Sequence, residues 1–236
     1  MTDRKQLFNH ELNKTKKIFY TLVLSTIILQ LICFAFFSVI GKFEADGDEL
    51  LRNFQSIHSL SSTVAMSGIA IIASIIIRPI VAKPYMKSSI TRTFLYPIKR
   101  SELFLAKICS CGLMLFFASL FGFLFCLLCQ LGIGMMMDVN SIPLNQEIIK
   151  SLIDIVSTCL LILSIVGFSQ LVGIKQQSEI AIIVTATIGI IVLGNVSAIG
   201  LINYSLITGI ISIVILGCTA LSVRLMGDRI DQMELR

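Results

Sequence analysis

Residues 180–223 read IAIIVTATIGIIVLGNVSAIGLINYSLITGIISIVILGCTALSV, forty-four positions without one Asp, Glu, Lys or Arg. A helix that crosses a hydrocarbon core of ~30 Å needs about 20 such residues, so this stretch is long enough for two spans. Asn195 to Tyr204, with its Asn and Gly residues, supplies the turn between them. Four further charge-free runs precede it, at 18–41, 53–77, 108–137 and 155–174. Six spans follow, at about 18–40, 61–79, 108–132, 152–173, 180–198 and 206–222. The runs are apolar on every face, whereas barrel strands alternate apolar and polar over ~10 residues, so an all-α membrane protein is expected.

Composition agrees. The chain has 236 residues, of which 56% are apolar and 14% charged, with a mean hydropathy of +0.91. A soluble domain carries about 25% charged residues and could not cover its surface with so few. One transmembrane domain over 1–236 is expected, with no secretory leader, because seventeen mostly polar residues precede the first apolar run. The net charge of +5 reads as orientation and lipid attraction rather than nucleic-acid binding. With both termini on one side, that side holds sixteen of the nineteen Lys and Arg; the other holds Lys42, Arg52 and Lys150. Both termini and the 80–107 loop are therefore expected in the cytoplasm.

Residues 1–17 (MTDRKQLFNHELNKTKK) place Leu7, Phe8 and Leu12, with Ile18 and Phe19 beyond them, within an arc of about 140° on a helical wheel. Lys14, Lys16 and Lys17 point elsewhere. Two readings stand: an amphipathic helix in the headgroup layer, or a solvated basic tail that sets orientation.

The chain carries little that suits catalysis. No H-E-x-x-H, G-x-S-x-G or G-x-x-x-x-G-K-[ST] occurs, and the two histidines, His10 and His58, are assigned to the cytoplasmic tail and the outer edge of span 2. No metal site and no catalytic residue is expected, and no cofactor on this chain. The seven cysteines lie in apolar runs and read as small buried hydrophobes. Asp154 and Glu179 fall near span ends, where a carboxylate reaches water or a helix N-terminus; the other reading is a proton relay. Gln30, Ser74, Gln130, Ser164, Gln170, Thr185 and Thr187 lie deeper, to bond between helices or to line a path. Small residues at Gly112, Ser119 and Gly122, and at Ala181, Thr185 and Gly189, mark close helix approach.

The loop between spans 2 and 3 is the informative segment. Phe94, Leu95 and Tyr96 form an apolar cluster among cations just before Pro97, costly for a plain linker and suited to burial against lipid or protein. The run Phe94-Leu95-Tyr96-Pro97-Ile98-Lys99-Arg100-Ser101-Glu102, followed by Leu105-Ala106-Lys107, resembles the corresponding segment of ABC-2 type (type V) permeases. Tyr96 and Lys99 depart from that pattern, where many members carry a small or apolar residue and Ser or Thr. The resemblance is local in motif and extends to the whole chain in architecture.

The resemblance implies a permease subunit with no ATPase activity of its own, driven by a separate ABC ATPase that holds the ATP and Mg, and paired with a second permease chain in a homo- or heterodimer. It implies a coupling helix in the 80–107 loop. Phe94, Leu95, Tyr96 and Pro97 would be its apolar anchor, and Arg92, Lys99, Arg100 and Glu102 its polar rim. Lys14, Lys16, Lys17 and Lys107 would anchor the chain at the headgroups. Size and short outer loops resemble permeases of Gram-positive bacteria that expel amphipathic peptides, such as lantibiotic-immunity transporters and phenol-soluble modulin exporters. An amphipathic or hydrophobic peptide, toxin or antimicrobial, is the cargo so implied, at the bacterial plasma membrane. Two other classes remain: a stand-alone secondary transporter coupled through Asp154 or Glu179, and a membrane immunity protein that binds a toxin without pumping it.

Overall fold

A computed structural model describes residues 15–43, 54–86, 100–136 and 144–232. Six helices account for nearly all of them: α1 (Lys16–Phe43), α2 (Phe54–Val81), α3 (Arg100–Met136), α4 (Leu144–Gln176), α5 (Glu179–Asn203) and α6 (Ser205–Gln232). Each contains a stretch long and apolar enough to cross a membrane, and the described residues form no strand. The chain is an all-helical, multi-pass membrane protein. At 37 residues, α3 is ~55 Å long and projects beyond a ~30 Å hydrocarbon core.

Side-chain ties between helices fix the topology. Gln55 and Ser74 of α2 meet Asp154 and Ser169 of α4, so these two helices run parallel. Gln130 of α3 meets His58 of α2, while Leu105 lies beside Gly227 of α6; α3 runs opposite to both. The bundle therefore has a basic end, where α1 starts, α2 ends, α3 starts and α4 turns into α5, and a far end opposite. α4 is central: 61% of its most apolar stretch is enclosed, against 17% in α1 and α6. The outward faces of α1, α5 and α6 carry exposed Ile, Leu, Val and Phe, as lipid or a partner helix requires.

Several boundaries differ from the sequence reading. Span 2 begins at Phe54 rather than near 61, because Gln55, Ser56, His58 and Ser59 are buried inside the bundle rather than lying in a loop. Its helix continues past Arg78-Pro79 to Val81, since proline in the last turn removes only one hydrogen bond. A 3-10 turn, Lys83–Tyr85, follows. No turn interrupts the chain at Asn195. Its side chain bonds back to the Ile191 carbonyl at 2.8 Å, and α5 runs to Asn203, leaving Tyr204 as the break before α6.

The α4–α5 connection is as tight as its sequence suggests. Gln177 takes a positive φ of 53°, and Ser178 N–H returns to the Gly173 carbonyl at 3.2 Å. Gly173 has Ile182 of α5 packed against it so closely that any side chain there would collide.

Candidate functional site

At the far end, α2 makes a polar tie to each of three neighbours. Toward α4, Gln55 Nε2 donates to Asp154 Oδ2 at 2.6 Å and Ser59 Oγ donates to the same oxygen at 2.8 Å. Ser151, one turn before Asp154, donates to Gln55 Oε1 at 3.1 Å. Toward α3, His58 Nδ1 lies 2.7 Å from Gln130 Oε1, with the ring stacked on Phe54. Toward α1, Gln30 Nε2 reaches Ser61 and Ser62 at 3.2 and 3.1 Å. All nine of these polar residues, from Gln30 to Asp154, are buried. Hydrocarbon offers no competing water, so a satisfied side chain of this kind holds helix register at about 0.6 kcal/mol per bond, up to ~1.7.

Two sequence expectations fail here. Asp154 does not reach water: α4 starts ten residues earlier, at Leu144, and the carboxylate is fully buried, with no hydrogen bond to Oδ1. His58 is not at an exposed outer edge but in the interior, also fully buried. The missed signal is the composition of 54–63, charge-free yet rich in Gln, Ser, His and Thr, which marks an internal helix face rather than a lipid-facing one.

At the basic end, α2 is tied to the α4–α5 hairpin. Ser74 Oγ lies 3.3 Å from Ser169 Oγ, and Gln170 Nε2 donates to the Ser74 carbonyl at 3.0 Å. Arg78 Nη1 pairs with Glu179 Oε2 at 3.1 Å. Gln177 Nε2 donates to the Tyr85 carbonyl at 3.1 Å, just where the chain leaves for residues 87–99. The Tyr85 ring meets Phe104 of α3 edge-on. The segment entering the 87–99 stretch is thus clamped to α3, α4 and α5 together.

Of the polar residues singled out from sequence, Gln30, Ser74, Gln130 and Gln170 bond between helices. Ser164, Thr185 and Thr187 bond back to their own helices, a local satisfaction that period alone does not distinguish. Gly122 lets α1 approach α3: a Cβ there would stand 2.7 Å from Thr26 Cβ. Gly112 and Gly189 lie in ordinary contact with Leu163 and Ile165.

Between α3, α4 and α6 runs an apolar cleft of about 710 Å³. Leu105, Gly112 and Phe116 of α3, Leu160 and Gln170 of α4, and Leu216 and Arg224 of α6 line it. Among the described residues, no group of three His, Cys, Asp or Glu side chains is arranged to hold a metal.

Of the residues expected to contact an ATPase or headgroups, Arg92, Phe94, Leu95, Tyr96, Pro97, Lys99 and Lys14 lie outside the described residues. Lys17 and Arg100 enter only through their backbone, in the first turns of α1 and α3. Lys16 is exposed, Glu102 and Lys107 are half-buried in α3, and all three sit at the basic end. The amphipathic segment expected at 1–17 and the coupling helix expected in 80–107 likewise fall outside what the structure describes, apart from their margins.

Residues 7–194, well over half of the chain, match the family described as ABC-2 family transporter protein. The chain belongs to the ABC-2 transporter family. It is thus the membrane permease subunit of an ABC transporter, not itself catalytic, and membership implies an ABC ATPase partner and often a second permease. No curated protein and no solved structure matches the permease. The match covers α1 to α4 and most of α5, the elements that carry both sets of ties.

Proposed function

We propose that this permease forms the translocation path for amphipathic or hydrophobic peptides, exported at the expense of ATP hydrolysed on a separate chain. One observation carries the cargo class: α5 has no charged residue after Glu179, and α6 has none before Arg224. Their outward faces are lined with exposed Ile, Leu and Val. A path bounded by such faces offers no fixed charge to hold an ion or a sugar phosphate, and a continuous surface for an apolar side chain. Toxin export or self-protection against an antimicrobial peptide fits that chemistry.

In this reading the termini and residues 80–107 lie in the cytoplasm of a bacterial cell, under the plasma membrane. Phe94, Leu95, Tyr96 and Pro97 seat in the ATPase, with Arg92, Lys99, Arg100 and Glu102 around them. Lys14, Lys16, Lys17 and Lys107 hold the ends at the headgroups by snorkelling. A second permease, identical or different, completes the path. ATP and Mg stay on the ATPase. The clamp around Tyr85 supports this route, because a push on 87–99 would reach α3, α4 and α5 at once.

The test is a gentle-detergent pull-down of the tagged permease from its native membrane, then hydrolysis assays on the complex in lipid. A P-loop ATPase in comparable amount, with hydrolysis stimulated by a cationic amphipathic peptide, supports the proposal. Recovery of the ATPase without peptide stimulation, in cells no more peptide-sensitive when the permease is deleted, overturns the cargo class. The buried Asp154 is the one observation that favours a stand-alone secondary transporter; transport abolished by proton uncouplers and by Asp154→Asn would favour that reading.

A further inference from the structure

The α3–α4–α6 cleft is graded from polar to apolar along its length. Arg224 and the Gln170 amide stand toward the basic end, and the lining positions deeper than these are apolar or small, apart from Thr219, whose hydroxyl turns back onto the Leu216 carbonyl. From Arg224 to Leu216 the cleft follows α6 for eight residues, and from Leu105 to Phe116 it follows α3 for eleven. At 1.5 Å per residue it is ~12–16 Å deep, half of a ~30 Å hydrocarbon core. That is the depth of one leaflet.

The two polar groups have unmet capacity. Arg224 is exposed and makes no ion pair among the described residues. Gln170 is 1% exposed, gives its N–H to Ser74 and leaves Oε1 with no hydrogen-bond partner. A guanidinium at the mouth of a one-leaflet apolar cleft matches an anion joined to a hydrocarbon chain.

We infer that the cleft is a binding site for an anionic phospholipid of the leaflet at the basic end, its acyl chain between α3 and α6 and its phosphate on Arg224. Glycine at 112 keeps the floor of the cleft open, since a Cβ there would meet only Leu163 at 3.5 Å. This site is separate from the proposed peptide path and does not depend on the cargo.

The full-length permease, with its ATPase, would be placed in nanodiscs containing phosphatidylglycerol or phosphatidylcholine, released, and examined by native mass spectrometry. One phosphatidylglycerol retained per permease is expected, in preference to phosphatidylcholine by about fivefold, the equivalent of about 1 kcal/mol for one cation at a membrane surface. Arg224→Gln removes the preference and Arg224→Lys keeps most of it. Gly112→Leu, which fills the cleft, lowers retention of both lipids. Because Arg224 is exposed, its variants test the site without disturbing the core; thermal unfolding checks the Gly112 variant. Equal retention of the two lipids, or a preference unchanged by Arg224→Gln, overturns the inference. So does cross-linking of Cys109, which lines the cleft, to Cys109 of a second copy in native membranes, since a protein would then cover the cleft.

Discussion

Gln55 on α2 and Asp154 on α4 stand ninety-nine residues apart in sequence and 2.6 Å apart in the bundle, amide nitrogen to carboxylate oxygen. Ser59 shares the same oxygen at 2.8 Å, so one oxygen of the carboxylate is fully engaged, while the other makes no hydrogen bond, with Ser205 of α6 close to the carboxylate. The two halves of the chain are locked in register at the far end by this contact.

Asp154→Asn keeps an acceptor oxygen for Gln55 and Ser59 and replaces the other carboxylate oxygen with an uncharged amide nitrogen. It should leave thermal stability within about 0.5 kcal/mol and leave transport intact. Asp154→Leu strands the Gln55 donor inside the bundle and should cost about 1–3 kcal/mol. Unfolding in micelles, followed by a thiol-reactive fluorogenic dye, distinguishes the two. Equal loss in both variants would mean that the charge, not the hydrogen bonds, holds α2 to α4.

The close α1–α3 crossing at Gly122 predicts a sharp positional contrast. Gly122→Ala drives a methyl into Thr26 and should destabilise by about 1–3 kcal/mol. Gly132→Ala, ten residues on in the same helix, meets nothing within 4 Å and should be neutral or slightly stabilising. The same unfolding assay reads both.

Thiol labelling reports the packing directly. Cys111, Cys126 and Cys159 are buried, whereas Cys109 and Cys218 are exposed on the bundle surface. A membrane-permeant maleimide should reach Cys218 first in the folded protein, Cys109 once lipid is stripped from the cleft it lines, and the first three only on unfolding. Rapid labelling of Cys159 in the native state would contradict the central position of α4.

Arg78 and Glu179 are both partly exposed, so the pair contributes little stability, well under 1 kcal/mol after solvent screening. Its value lies in position, between the last turn of α2 and the first of α5. Glu179→Arg should reduce ATP-driven transport severalfold at unchanged expression, and the swap Arg78→Glu with Glu179→Arg should restore most of it. No recovery in the swap would separate this contact from the transmission of force.

Reversal of charge at Lys99 and Arg100 tests the proposed ATPase-coupling segment. Expected is a permease that still inserts and still binds lipid, while its partner hydrolyses ATP without transport. Unchanged transport would remove these two residues from the coupling surface.

The sequence by itself determined the number of spans and their order, because a helix in hydrocarbon needs about 20 uncharged residues and leaves that length in the text of 18–41 or 180–223. It also carried the Phe94–Lys107 motif, which pointed to the family that the 7–194 match then established. It marked Gln30, Gln130 and Gln170 as polar groups needing partners, and the Ile174–Glu179 hairpin as tight. What it did not determine was which uncharged polar residue meets which. Ser164 and Gln170 look alike in a hydropathy profile, yet one bonds to its own helix and the other to α2. Helix boundaries failed for the same reason: residues 54–60 read as a polar loop until α1, α3 and α4 supplied partners for their side chains. Asp154 changed from a span-end carboxylate to an interior one only because α4 extends ten residues before it and α2 offers two donors. Apolar length is a local property that lipid imposes on each helix separately. Pairing of buried polar groups is a property of neighbours, and only the packed bundle decides it.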